Sequence, residues 1–140
     1  MQISRNKIKS EAKVLLKQIG LKATAPRLCI YEILKNSGSP VSADYIYGKS
    51  KKSADRASIY RTLNSFIKLG ICDEVNLKEG FLRYELKNED THHHHIRCDN
   101  CGRIECIDIC IKDEVEKITK FKINDHSIEF TGICPRCSKK

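Results

Sequence analysis

Residues 92–101 read His92-His93-His94-His95-Ile96-Arg97-Cys98-Asp99-Asn100-Cys101, and a second Cys-x-x-Cys follows at Cys134 and Cys137. Imidazole and thiolate are the ligands that borderline-soft divalent ions select, zinc above all. The two cysteine pairs together offer four thiolates, enough to close a tetrahedral site; the plain alternative is unligated thiols. The 32 residues between the pairs exceed the usual ribbon spacing, so such an ion would pin the last strand back onto an earlier hairpin. Zinc-coupled folding contributes on the order of 10 kcal/mol in small modules, more than a core of roughly 50 residues could supply alone. The histidines divide further. Consecutive side chains of a strand point to opposite faces, which puts His93 and His95 on one side and His92 and His94 on the other. Two His-x-His pairs on opposite faces suit two separate ions, or one ion and a solvated face.

Eight cysteines in an exported protein would suggest disulfides. Here four of them form Cys-x-x-Cys pairs beside histidines, and Met1-Gln2-Ile3-Ser4-Arg5 lacks the apolar core of a secretory signal. The expectation is therefore a cytoplasmic, metal-binding protein. No apolar run approaches the roughly 18–20 residues of a membrane span, so no membrane role is expected. The net charge of +8 is unevenly placed: residues 1–88 hold 17 Lys and Arg against 8 Asp and Glu, residues 89–140 hold 9 against 10. The excess positive charge precedes the histidine run, which points that part of the chain toward a polyanion.

The pattern in that basic part is helical. Ile8, Ala12, Leu15, Leu16 and Ile19 recur at helical spacing over residues 4–19, and Gly20 supplies a stop. A second helix starts near Thr24-Ala25-Pro26, with Thr24 as cap and Pro26 in the first turn; a third starts at the cap Ser42. The fourth buries Ile59, Leu63, Phe66 and Ile67, turns Ser58, Arg61, Asn64 and Ser65 elsewhere, and ends at Gly70. Residues 71–77 and 81–86 alternate around Lys78-Glu79-Gly80 as a β-hairpin. Several short helices and a hairpin describe a winged helix-turn-helix, the fourth helix reading DNA and the hairpin forming the wing. Arg, Asn, Ser and Thr on that helix are the types that meet phosphates and base edges, although an ordinary amphipathic surface helix would also carry them.

Lys87 to Thr91 is polar and aperiodic and reads as a hinge. Beyond it, residues 92–97 and 103–107 read as paired strands, 113–118 as a short helix, and 122–124 and 127–131 as further strands. The fold class is α+β, with domains over 1–86 and 92–140. Cys29 and Cys72 fall at apolar helix and strand positions and are expected to be core thiols.

Several stretches together resemble the ferric uptake regulator family of metal- or peroxide-responsive repressors. They are Thr24-Ala25-Pro26-Arg27, the helix Ala57-Ser58-Ile59-Tyr60-Arg61-Thr62-Leu63-Asn64, Arg83-Tyr84-Glu85, His92–His95, Cys98-x-x-Cys101-Gly102, Asp125-His126-Ser127 and Gly132-x-Cys134-Pro135-x-Cys137. The resemblance covers nearly the whole chain. It implies a homodimer that binds palindromic double-stranded operators when metallated, with a C-terminal α/β dimerisation domain, and implies neither a small-molecule substrate nor catalysis. It places structural Zn2+ at Cys98, Cys101, Cys134 and Cys137. A regulatory ion (Zn2+ or Fe2+, with Mn2+ as a further candidate) would take Glu85, His93 and His95, and an additional ion His92, His94, His126 and Glu114 or Asp113. The DNA contacts would be Lys13, Arg27, Ser58, Tyr60, Arg61 and Asn64. Two positions depart from the family pattern. Pro40 stands where a histidine ligand is common, and Cys106 stands where iron- and peroxide-sensing members carry Asp or Glu. Glu105, one residue away, would face the wrong side of a regular strand. Cys106 is then either a thiolate ligand that favours zinc over iron or manganese, or a buried inert thiol. Two other readings stand beside this one: a constitutive DNA-binding protein whose metal is purely structural, and a zinc metalloenzyme, for which no His-Glu-x-x-His signature is present.

Overall fold

The structure, a computed structural model, describes residues 4–51, 53–88 and 92–139. The chain divides into two compact units, residues 1–87 and 88–140. Glu89, Asp90 and Thr91 of the expected hinge lie outside the described residues.

The first unit runs α1 (Arg5–Gln18), α2 (Ala25–Ser37), β1 (Val41–Ser42), α3 (Ala43–Lys49), α4 (Arg56–Lys68), β2 (Cys72–Val75) and β3 (Arg83–Leu86). Its helices bury one apolar stripe each, and Ile8, Leu16, Ile30, Ile46, Ile59, Leu63 and Phe66 meet in a common core. Capping fixes where the short helices begin. The Ser42 side chain accepts from the Tyr45 N–H, and Asp55 accepts from the Ser58 N–H, so α4 is set in register by a residue just before it. Thr24 occupies the cap position of α2 but accepts no such bond; Pro26 in the first turn supplies the helical φ instead. The wing is antiparallel, with strand order β1-β3-β2. β1 was not expected; it exists because Val41 pairs with Tyr84 and Ser42 with Arg83, 43 and 41 positions on. Cys72 is buried, and burial pushes its thiol up to about 12; burial also raises the half-buried Cys29. Cys72 is the core thiol expected, whereas Cys29 is only half-buried and stands outside the core cluster; both stay protonated at neutral pH.

The second unit runs β4 (His94–Cys98), β5 (Ile104–Ile107), α5 (Lys112–Thr119), β6 (Glu129–Gly132) and the single turn α6 (Pro135–Ser138). β4 lies in the middle, antiparallel to β5 and parallel to β6. The strand expected at Lys122–Asn124 does not form. The Ile123 N–H donates to the Glu116 carboxylate at 2.6 Å, which ties this segment to α5 rather than to a sheet. Among the described residues of this unit only His94, His95 and Cys98 are buried. Ile118 and Phe121 are 81% and 75% exposed, and Ile109, Ile111 and Ile133 are also open. A unit whose buried side chains are imidazoles and a thiol lacks an aliphatic core of its own.

Candidate metal centres

Among the described residues three groups of donors converge in the second unit, each with all its ligand atoms within 4.8 Å of one another. The first is Cys98, Cys101, Cys134 and Cys137. Cys98 ends β4 and Cys101 follows in a tight turn, closed by the Gly102 N–H donating to the Cys98 carbonyl at 2.9 Å. Gly102 holds φ at +74° there, a conformation glycine adopts without cost. The Asp99 N–H donates to the Gly132 carbonyl at 2.7 Å and carries the turn onto the end of β6, where α6 presents the other pair. The Sγ atoms of Cys101 and Cys134 are 3.8 Å apart, the separation of roughly 3.8 Å that two thiolates of one tetrahedral zinc would have.

Electrostatics of the four sulfurs point the same way. The backbone N–H of Cys101, then that of Cys134, draws the Cys98 thiol down to about 6. The Arg103 N–H draws Cys101 down as well. Asn100 pulls on Cys137, but the Cys134 sulfur, burial and the other sulfurs outweigh it and push that thiol up to about 11. Four adjacent sulfurs cannot all ionise against one another; a central dication removes that conflict.

The second group is His93, His95 and Cys106. The rings of His93 and His95 sit 5.0 Å apart, centroid to centroid. His95 and Cys106 are direct cross-strand partners, so their side chains share a face. Glu105 pairs instead with Ile96 and forms an ion pair with Arg103 at 2.9 Å. Cys106 is exposed, which removes the reading of it as a buried inert thiol. Glu85, the other expected donor, stands on β3 in the first unit.

The third group is His92, His94, Cys110 and His126. The Nε2 of His92 lies 3.1 Å from that of His94 and 2.8 Å from that of His126, and the Cys110 Sγ lies 3.2 Å from the His126 Nε2. Burial, then repulsion from His92 and His126, holds the His94 imidazole below its ordinary value and so in its neutral, ligating form near pH 7. Neither Glu114 nor Asp113 joins this group; both sit in the first turn of α5. Cys110 takes the place expected of an acid. Sequence alone did not single it out, because it lies in an aperiodic stretch and reaches His126 across 16 positions.

On the first unit, the exposed face of α4 and the start of α2 line one hollow. Arg27, Ser58, Arg61 and Asn64 share it with Thr24, Pro26, Thr62 and Ser65. Lys13 lines a neighbouring hollow with Lys17 and Lys22, and Tyr60 is half exposed. Arg61 donates to the Ser58 hydroxyl at 3.2 Å, which holds the guanidinium along the helix surface. Six cationic or amide side chains here, Arg27, Arg61, Asn64, Lys13, Lys17 and Lys22, lack any acidic neighbour among the lining residues, the character of a phosphate-facing surface.

A model of the ferric uptake regulator family matches residues 18–131. The chain belongs to the ferric uptake regulator family. This family member is 36% identical over 117 residues to the ferric uptake regulation protein of Bacillus subtilis, a match that covers 77% of this chain and 78% of that one. It is 35% identical over 138 residues to the peroxide operon regulator of the same organism, covering 93% of each. Among solved structures, the Helicobacter pylori ferric uptake regulator, described as having three functional metal binding sites, superposes with a TM-score of 0.77 at 25% identity. That match covers 100% of this chain and 99% of the other. As a ferric uptake regulator family member the chain is a DNA-binding regulator with the expected α+β winged-helix architecture, and it is not an enzyme. The metalloenzyme alternative falls. No helix among the described residues is long and apolar enough to cross a membrane.

Proposed function

We propose that the chain is a metal-dependent repressor that binds palindromic operators as a homodimer and controls metal-ion homeostasis. The observation that carries this reading is the division of one histidine run between two donor groups, with Cys106 locked by strand register opposite His95. In this reading Cys98, Cys101, Cys134 and Cys137 hold a structural Zn2+. The regulatory ion takes His93, His95 and Cys106. A thiolate in that set favours Zn2+ over the oxygen-preferring Fe2+ and Mn2+. Lys13, Arg27, Ser58, Tyr60, Arg61 and Asn64 form the operator face. The exposed apolar side chains of the second unit support dimerisation, since large open apolar patches on small units mark interfaces.

Regulation follows as a population shift. An ion that binds the operator-competent arrangement more tightly than the others moves the protein into it, and moving a 1:99 mixture to 99:1 takes about 5.5 kcal/mol of differential affinity. Operator affinity measured with Zn2+, Fe2+, Mn2+ and chelator is the test. The expected order places Zn2+ first, and Cys106→Asp should shift the preference toward Fe2+ and Mn2+. Equal affinity under all four conditions would leave the constitutive DNA-binding reading in its place.

A further inference from the structure

We infer that His92, His94, Cys110 and His126 form a closed four-ligand site in which the Cys110 thiolate is the fourth donor, selecting a zinc-class ion over Mn2+ and Fe2+. The inference rests on the reading of the histidine run as metal-binding, and it adds a ligand and an ion preference that the family resemblance does not supply.

Three observations carry it. The first is the convergence of nitrogens. The His92 Nε2 faces two other Nε2 atoms, at 3.1 and 2.8 Å. A neutral ring nitrogen carries either one N–H or one lone pair, so His92 meets both neighbours only by sharing that single proton or lone pair between them, whichever tautomers are chosen. A cation at that point accepts all three lone pairs. Tetrahedral zinc would set the nitrogens roughly 3.3 Å apart, a few tenths of an ångström from where they stand. The second is the thiol. Cys110 brings its Sγ to 3.2 Å from the His126 Nε2 and within ligand distance of the other two rings. On metal binding its proton leaves to solvent and the Sγ–metal bond replaces the S–H bond. The third is the absence of a carboxylate from the group among the described residues. The thiolate is a soft donor and the three imidazoles are borderline ones, and Mn2+ and Fe2+ stand lowest in affinity for such sets.

All four donors belong to the second unit. They join the start of β4, the stretch between β5 and α5, and the segment after α5, in a unit where only His94, His95 and Cys98 are buried among the described residues. The ion there acts as a staple for this unit, and its site is complete without Glu85.

Cobalt substitution tests the assignment in a Cys106→Ser background, where the proposed sensing thiolate is absent. Full-length C106S and C106S/C110S are titrated with Co2+ and followed by absorption. The expected difference spectrum contains near-ultraviolet sulfur-to-cobalt charge transfer and the intense visible bands of a four-coordinate ion. C106S/C110S should bind that equivalent at least about tenfold more weakly, since even outer-shell partners of metal ligands carry that much. Excess Mn2+ should leave the C106S equivalent in place and compete measurably better for C106S/C110D, a variant that keeps a fourth donor and guards against mere misfolding. Superimposable spectra and affinities for C106S and C106S/C110S would overturn the inference, as would failure of C106S to bind the equivalent. Operator binding by the wild type under different ions reads the sensor proposal separately, so either idea can fail without the other.

Discussion

Replacing Cys134 by serine isolates the energetic role of the four-cysteine group. The backbone N–H of Cys134 donates to the Cys98 sulfur at 3.3 Å, and that bond survives the substitution, so the variant removes a ligand and little else. The size of the effect follows from what the second unit lacks. Among its described residues no aliphatic or aromatic side chain is buried, so burial of apolar surface, at about 25 cal/mol per Å2, offers little reserve. A structural zinc in a small module contributes about 10–16 kcal/mol of apparent folding energy, as much as the whole stability of an ordinary domain. With the two histidine-containing groups left metal-free, losing one ligand of four should therefore open the unit rather than loosen it. Hydrogen exchange read by mass spectrometry resolves the two units. Amides of β4 and β5 should lose protection in C134S, and equally in chelated wild type, while those of α4 keep theirs. Unchanged protection of residues 94–107 in the variant would refute the argument, because some other interaction would then have to hold the sheet.

Three further outcomes are expected. Phe66→Ala, at a fully buried site of the first unit, should cost about 3–5 kcal/mol in denaturant unfolding of that unit. Arg61→Ala should cost about 1–3 kcal/mol of specific operator binding if the guanidinium reads a base edge, and should reduce the salt dependence of binding only if it meets phosphate. The third concerns pH. The hydrogen bond from Lys35, at 3.0 Å, and then that from Tyr31 hold the Glu11 carboxyl below its ordinary 4.5 against the opposing effect of burial. A carboxyl whose folded value is lowered adds stability that is present above the unfolded value and is lost as pH falls through the folded one. Glu11→Gln should therefore lose stability near neutrality and show a shallower decline than wild type below about pH 4.5 in pH-dependent urea unfolding.

Local rules made most of this molecule legible in its sequence. The apolar stripes of α1 and α4, together with Gly20 and Gly70, located those helices because periodicity and stop signals act within one element. Strand alternation separated His92 and His94 from His93 and His95 for the same reason, and it also turned Glu105 away from the Cys106 face. Long-range pairing was harder to read. Two residues, Val41 and Ser42, form a strand only because Tyr84 and Arg83 come to meet them. Lys122–Asn124 has a strand-like pattern, but Glu116 takes the Ile123 amide first. Cys110 belongs to an irregular segment, where no period says which way a side chain points, and its partner His126 is equally unplaced by pattern. The acid expected at Glu114 is instead a helix-start residue, in keeping with the positive end of α5.

The central position of β4 has a genetic consequence. Its pairing fixes His95 against Cys106 on one side and against Glu129 on the other, so each residue of the strand is committed to one face. Deleting or inserting a single codon between His92 and Cys98 would exchange the faces of the intervening side chains and hand each histidine to the wrong ion. A change of two codons would preserve the faces and cost only reach. Among natural or engineered length variants of this stretch, even steps should be recoverable and odd steps should not.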